Sequence, residues 1–349
     1  MTTVTITQVA ERVGVSVATV SRFLSGNNVR EEDAIREAIA QLNYRPSAAA
    51  RNLKSGKTST IAVIVPDIAN PFFASIVRGA EKAAGEKFMV LLVNTDGNPN
   101  REERILTQLF GRVDGVIMVP LTEDEVAPTA FGKFGFPIVF VDRISKESHE
   151  FDSVLVDNVK GSRLAVEKFI ALGHTRIAMI GGPLDSTPGK LRRDGFHAAL
   201  KKAKIENNPE YFVEADFNQV GGFAAMTKLL DLDNPPTAVL SANNLMTIGA
   251  LEAIKSRGVC VPEELSFIGF DDIEMATLLV PPLTVVSRDV ESQGAEAMRI
   301  MINRLDPNNR LSPQHKMIDV KLIERGSCSN PWLWSSKDSK IDQGSKKVK

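Results

Sequence analysis

Ser16, Thr19, Ser21 and Arg22 fall within seven residues near the start of the chain. Their hydroxyls suit phosphate oxygens, and a guanidinium can give two hydrogen bonds to the edge of a guanine. Val17 and Ala18, on the same stretch, offer only apolar contact, for example to a thymine methyl. A second set of polar and aromatic residues follows apolar runs further along: Asn70, Phe72 and Phe73, then Asp142 and Arg143, Arg192, Asn243 and Asp271. Carboxylates accept from hydroxyls, Arg and Asn donate or bridge, and ring faces cover the C–H side of a sugar, so this set suits a polyhydroxylated ligand. Catalysis has little to work with. His149, His174, His197 and His315 are scattered, none makes a metal spacing with another or with a cysteine, and each reads as structural or exposed. There is no P-loop and no GxGxxG, and no nucleophile and base pair stands out, so neither an enzyme nor a cofactor site is expected.

The elements that must position the first set are legible. In TITQVAERVGVSVATVSR, Thr5 caps a first helix that buries Val9 and Ala10, Gly14 permits the left-handed turn that ends it, and Ser16 caps a second helix over residues 17–24. Val20 and Phe23 or Leu24 fall inward there, which leaves Val17, Ala18, Ser21 and Arg22 outward. An ordinary αα-hairpin has the same pattern. In a helix-turn-helix the second helix lies in the major groove, its side chains near the start on base edges. Ile35, Ala38, Ile39 and Leu42 sit at helical spacing and predict a third helix that closes a small core. After Tyr44, Arg45 and Pro46, SAAARNLKSGK reads as a short helix, marginal alone. Residues 1–58 carry eight cations and five anions in a chain of net charge −1, so the head suits phosphate while the acidic excess lies in the remainder.

Beyond residue 58, strand-length apolar runs alternate with amphipathic helices. The strands read IAVIVP, MVLLVNT, GVIMVP, PIVFVD, RIAMIGG, YFVEAD, TAVLSAN and LSFIGFD, with helices between them such as 72–87, 160–172 and 245–257. The length predicts two doubly wound lobes with a break near Asn158, and no internal sequence repeat is evident. Ligands of parallel sheets gather at the carboxyl ends of strands, which is where the second residue set lies. Each of those positions has a plainer reading as a helix cap or turn former, Asn70 before Pro71 above all, and Asp272 reads as a cap. Gly181 and Gly182 read as a close turn rather than a phosphate loop. Phe72 and Phe73 are adjacent, so at least one should face the cleft.

VGVSVATVSR followed by YRPSAAARNLKSGKTSTIAVIVPDIANPFF resembles the LacI family of bacterial transcription regulators, over residues 5 to about 327. The resemblance implies an all-α helix-turn-helix headpiece over 1–45, a hinge helix and linker over 46–58, and a type I periplasmic-binding-protein-like α/β core over 59–327. It implies that the chain crosses back between lobes near 287–290 and near Lys316, giving a first lobe of 59–158 plus 289–315, completed by a helix over 292–305, and a second of 159–288 plus 316–327, completed by a strand over 317–323. Thr5, Ser16, Val17, Ala18, Thr19, Ser21, Arg22 and Tyr44 would then meet operator DNA. Leu53 would wedge into the minor groove, with Ala50 at the close helix contact and Lys54 near the backbone. The stretch between Gly26 and Tyr44 is about three residues shorter than is usual in the family and lacks its Thr-Arg pair, and Asn244 stands where aspartate is more common. GPLDSTPGKLRRDGF and IGFDDIEMA look like the ribose-regulator branch, which implies a pentose or nucleoside effector at Asn70, Phe72, Phe73, Asp142, Arg143, Arg192, Asn243 and Asp271.

The expected protein is thus a cytoplasmic repressor that binds a palindromic operator as a homodimer and is switched by a sugar that closes the lobes. The dimer contact is expected around residues 73–84 and 248–255. Cys260 and Cys328 lie far apart, which suits a reducing compartment. No run reaches membrane length, and a helical motif occupies the place of a secretory leader. Residues 328–349 lack heptad leucines and read as a flexible tail, with Trp332 and Trp334 either docked or free. Two other readings share the core: an exported sugar-binding protein with no DNA role, and a regulator controlled by a phosphocarrier protein.

Overall fold

The computed structural model describes residues 4–46, 56–121, 135–144, 150–309 and 312–331. They form two compact units, Met1–Ser59 and Thr60–Lys349. Ala50, Leu53 and Lys54 of the expected hinge helix, together with Trp332 and Trp334, lie outside the described residues.

The first unit holds three helices, α1 (Ile6–Val13), α2 (Val17–Leu24) and α3 (Glu32–Gln41). Val9, Ala10, Val20, Ile35 and Ala38 are buried at its centre, with both Phe23 and Leu24 packed against them. Three short helices make one core because each contributes one or two buried positions and none could hold its shape alone.

The second unit contains two six-stranded sheets, ordered β11-β5-β4-β3-β1-β2 and β12-β10-β9-β8-β6-β7. The first is built from β1 (Thr60–Val65), β2 (Met89–Asn94), β3 (Gly115–Met118), β4 (Ile138–Val141), β5 (Asp152–Val156) and β11 (His315–Ile318), and the second from β6 (Ile177–Gly181), β7 (Phe212–Glu214), β8 (Ala238–Ser241), β9 (Ser266–Phe270), β10 (Thr284–Arg288) and β12 (Val320–Ile323). Every pairing is parallel except that of β10 with β12. Runs such as TIAVIV and IAMIG are continuously apolar because helices cover both faces of a parallel sheet. The two sheets repeat one strand order, a structural repeat with no counterpart in the sequence.

The chain leaves the first sheet after β5, returns to it with helix α10 (Val290–Arg304) after β10, and changes sheet again at Asp319. The single strand expected over residues 317–323 is therefore two strands in two sheets, and that last crossing lies three residues beyond Lys316. β5 is a strand that the sequence reading did not contain. Helix α4 (Pro71–Ala84), which was expected at a dimer contact, packs closely on α10: a Cβ on Gly79 would stand 2.0 Å from the Glu291 carbonyl oxygen, and one on Gly294 2.0 Å from that of Ile76. The remaining helices of this unit are α5 (Pro99–Leu109), α6 (Asn158–Ala171), α7 (Thr187–Lys202), α8 (Gln219–Leu230) and α9 (Asn244–Ser256).

Candidate functional site: a helix pair and an interlobe cleft

The helix pair is fixed by its caps. The Thr5 hydroxyl accepts from the Gln8 N–H at 3.4 Å while the Gln8 side chain accepts from the Thr5 N–H at 2.8 Å, a reciprocal capping box. Gly14 ends α1 at φ 78°, in the left-handed region that favours glycine. Ser16 caps α2 by accepting from the Thr19 N–H at 3.1 Å, and its hydroxyl also bonds that of Thr19 at 2.9 Å. Val20 is buried in α2, whereas Ser16, Val17, Ala18 and Arg22 are exposed and Thr19 and Ser21 are half-buried. Thr5 is exposed and Tyr44 half-buried, packed on the core of this unit. One side of α2 thus offers a guanidinium, hydroxyls and two small apolar side chains together.

In the second unit the carboxyl ends of the two sheets face one cavity of about 650 Å³. All eight residues proposed from the sequence for this site, Asn70, Phe72, Phe73, Asp142, Arg143, Arg192, Asn243 and Asp271, line it. Asn70 caps α4 by accepting from the Phe72 N–H at 3.0 Å, and Asn243 caps α9 by accepting from that of Met246 at 2.8 Å. Capping and lining are here properties of the same residues. Both Phe72 and Phe73 are largely buried and meet edge to face with centroids 5.0 Å apart. Gly182, where a Cβ would stand 2.1 Å from the Phe217 ring, admits that ring to the lining, so the glycine serves a close approach. Asp272 is no cap: it faces Arg325 at 2.8 and 3.0 Å.

The residue that sequence reading missed is Arg288, the last residue of β10. Its Nη1 donates to Asp142 at 2.6 Å, its Nε to Asp271 at 2.7 Å and its Nη2 to the second Asp271 oxygen at 3.3 Å. The guanidinium lies 4.4 Å from the centroid of the Phe72 ring. Asp142 and Asp271 follow equivalent strands, β4 and β9, and both adopt left-handed backbone, φ 66° and 69°. Each N–H is held by the neighbouring strand, Asp142 by Val154 at 3.1 Å and Asp271 by Val286 at 2.9 Å. That conformation is sparsely populated for a residue other than glycine and is held here by its surroundings. The only signal for Arg288 was its place at a strand's carboxyl end.

Arg192, also buried, stacks on Phe270 at 3.7 Å, donates to Asn158 at 2.8 Å and to the Ala242 carbonyl, and stands 3.9 Å from Asp271. Burial pulls its guanidinium down to about 10, against the opposing pull of Asp271, so it is charged at neutral pH. Burial alone would raise the Asp142 carboxyl, but the Arg288 charge, with Arg192 behind it, holds it below the usual carboxylate range. Burial also acts against the charge of Arg288, and Asp271 and Asp142 overcome it, holding that guanidinium above its ordinary value. Arg143 lies 5.7 Å from the Phe217 ring centroid, and its Nε is buried without a hydrogen-bond partner. The sheets are bridged directly by Arg288 to Asp142, by Asn244 donating to Asn70 at 2.7 Å, and by the Thr187 hydroxyl to Ile144 at 3.3 Å.

Residues 5–47 match the model of bacterial regulatory proteins of the lacI family, and residues 166–328 that of the periplasmic binding protein-like domain. The ribose operon repressor of Escherichia coli (strain K12) is 36% identical over 330 residues, which cover 93% of this chain and 99% of the repressor. The chain belongs to the lacI family. The lac repressor dimer bound to operator and the anti-inducer ONPF matches with a TM-score of 0.84 at 28% identity, over 94% of this chain and 100% of that one. The complex of the transcriptional regulator CelR with cellobiose matches with a TM-score of 0.73 at 32% identity, over 93% and 99%. As a member of this family the chain is a DNA-binding regulator of transcription, with the α-helical head and the two parallel-sheet lobes that its sequence predicts.

Proposed function

We propose that this regulator is a cytoplasmic repressor that binds a pseudo-palindromic operator as a homodimer and is governed by a sugar-type ligand held between its lobes. The observation that carries the reading is the convergence of eight polar and aromatic residues from five separate stretches, with Arg288, on one cavity that both sheets build. A solved lac repressor is a dimer on operator, and a solved CelR holds cellobiose. The relative from Escherichia coli is named for the ribose operon, which puts pentoses and nucleosides first among the sugars to try. We assign Thr5, Ser16, Val17, Ala18, Thr19, Ser21, Arg22 and Tyr44 to the operator, with Leu53 as the minor-groove wedge, Ala50 at the close helix contact and Lys54 near the backbone. No enzymatic step is assigned to the chain.

The dimer face we assign is the edge strand β2. Met89, Leu91 and Leu92 are exposed there, apolar side chains on a strand whose outer backbone edge pairs with no other strand among the described residues. Helix α4 is already engaged with α10 and presents Arg78, Glu81 and Lys82 outward.

Selection of bound sequences from a pool of random duplexes, followed by a mobility shift on the selected site, tests the first half. Affinity should fall steeply with salt, Arg22→Ala should relax base preference, and Leu53→Ala should weaken the site. Arg192→Ala should abolish the sugar response by calorimetry and leave the unliganded affinity for the site unchanged. Loss of both activities in either variant would defeat the assignment of DNA to the head and sugar to the cleft.

A further inference from the structure

Arg288 determines what the cleft has left to offer. We propose that the cleft takes a sugar bearing an acidic group, carboxylate or phosphate, and that Arg288 sets this preference by occupying the two buried carboxylates that would otherwise accept from a neutral sugar. The inference rests on the sugar reading above and narrows its ligand class.

The guanidinium is not something the fold requires. β5 and β10 are equivalent strands, followed by equivalent aspartate caps: Asp157 accepts from the Lys160 N–H at 2.9 Å, and Asp289 from that of Ser292 at 2.8 Å. The residue before the cap is Val156 in one sheet and Arg288 in the other, both buried. The same architecture ends one strand in an apolar residue and the other in a cation aimed at the cleft.

Its placement removes acceptors. One oxygen of Asp142 and both of Asp271 take N–H groups from Arg288, and the face of Phe72 that would cover a sugar ring lies under the guanidinium. Donors are left over. The buried Arg143 Nε has no partner, and in the lining Arg143, Arg192 and Arg288 stand against Asp142, Asp271 and the half-buried Asp67, of which Asp142 and Asp271 are occupied by Arg288. Glu102, whose charge acts on Arg143, opposes it only in part, because burial pushes that carboxyl up to about 7. Helices α4 and α9 begin in the lining at Asn70 and Asn243, and their positive ends favour an anion there. The other carboxylates of the lining, Asp96 and Asp216, are exposed, where solvent and salt screen them, and Asp96 is tied to Arg101. A hydroxyl can also accept from Arg143, but an anionic oxygen makes the shorter, stronger charge-assisted bond to a guanidinium.

Titration calorimetry on the full chain would compare ribose with ribose 5-phosphate, and glucose with glucose 6-phosphate and glucuronate. In the parent protein one acidic derivative should bind at least about 30-fold tighter than its neutral counterpart. Arg288→Gln should release the carboxylates and gain the neutral sugar, and Arg143→Gln should lose the acidic one. A response to phosphates alone or to glucuronate alone supports the proposal and names the acidic group. A neutral sugar bound by the parent protein as tightly as its acidic derivatives overturns the proposal and leaves the sugar reading standing. Silence of all five compounds towards both the parent and Arg288→Gln overturns the sugar reading, and this inference with it.

Discussion

Asp142 and Asp271 were legible as residues because position alone marked them: each follows an apolar run at the carboxyl end of a parallel strand, where ligands collect. Arg288 occupies the same kind of position and escaped notice, since TVVSR is too short and too polar to stand out as a buried strand. Nothing local to a sequence says that one guanidinium will satisfy two carboxylates 129 residues apart. Glu102 makes the same point through its charge. On an amphipathic helix it reads as a surface glutamate, yet it is buried, accepts from the Leu121 N–H at 3.1 Å and titrates near 7 because burial disfavours its anion. The folded state therefore binds that proton more tightly than the unfolded chain, whose carboxyl titrates near 4.5, and stability falls as pH rises from 4.5 through 7. The whole effect is about 3 kcal/mol above that window. Glu102→Gln should accordingly be more stable than the parent at pH 8 by up to this amount and indistinguishable from it below pH 4.5. Urea unfolding at both values checks the difference, and a gap independent of pH would contradict the assignment.

At the scale of elements, the caps and glycine of the first two helices were read well, whereas short strands, and Asp272 as a cap, were not. Thr5, Gly14 and Ser16 bound the first two helices where local chemistry demands. β5, DSVLV, was overlooked because its apolar residues are few. MIDVKLI, expected from the resemblance as one strand over 317–323, is divided at Asp319, where the chain changes sheet. Which sheet a strand joins depends on long-range pairing, and β11 pairs with β5, more than 150 residues earlier. Helix crossings are equally nonlocal. Gly79 and Gly294 look like weak points, since glycine inside a helix costs about 1 kcal/mol against alanine. The crossing of α4 and α10 reverses that sign, because each added Cβ would meet a backbone oxygen at 2.0 Å, and backbone cannot rotate aside. Gly79→Ala and Gly294→Ala should each destabilise the second unit by about 1–3 kcal/mol despite the gain in helix propensity. Thermal unfolding measures this directly, and a raised melting temperature in either variant would mean that the two helices can separate without loss.

For the molecule as a whole, the class of each part was written in periodicity: 3.6-residue spacing in the head, and apolar runs alternating with helices in the body. The surface we propose for the dimer was not, because an exposed apolar strand and a buried one have the same composition. MVLLVN reads as an interior strand, yet it lies at the sheet edge with Met89, Leu91 and Leu92 in solvent. A single head reads one half-site, so the proposed repressor needs two heads held together, which makes the second contact effectively intramolecular. Charge on β2 separates this role from folding, since an exposed leucine changed to lysine leaves the core untouched. Leu91→Lys with Leu92→Lys should convert a dimer to a monomer in light scattering and lower operator affinity by about 100-fold or more, while leaving ligand affinity within a factor of a few. A double variant that stays dimeric and keeps its operator would move the interface elsewhere, and the exposed Leu278 and Val280 would be the surface to charge next.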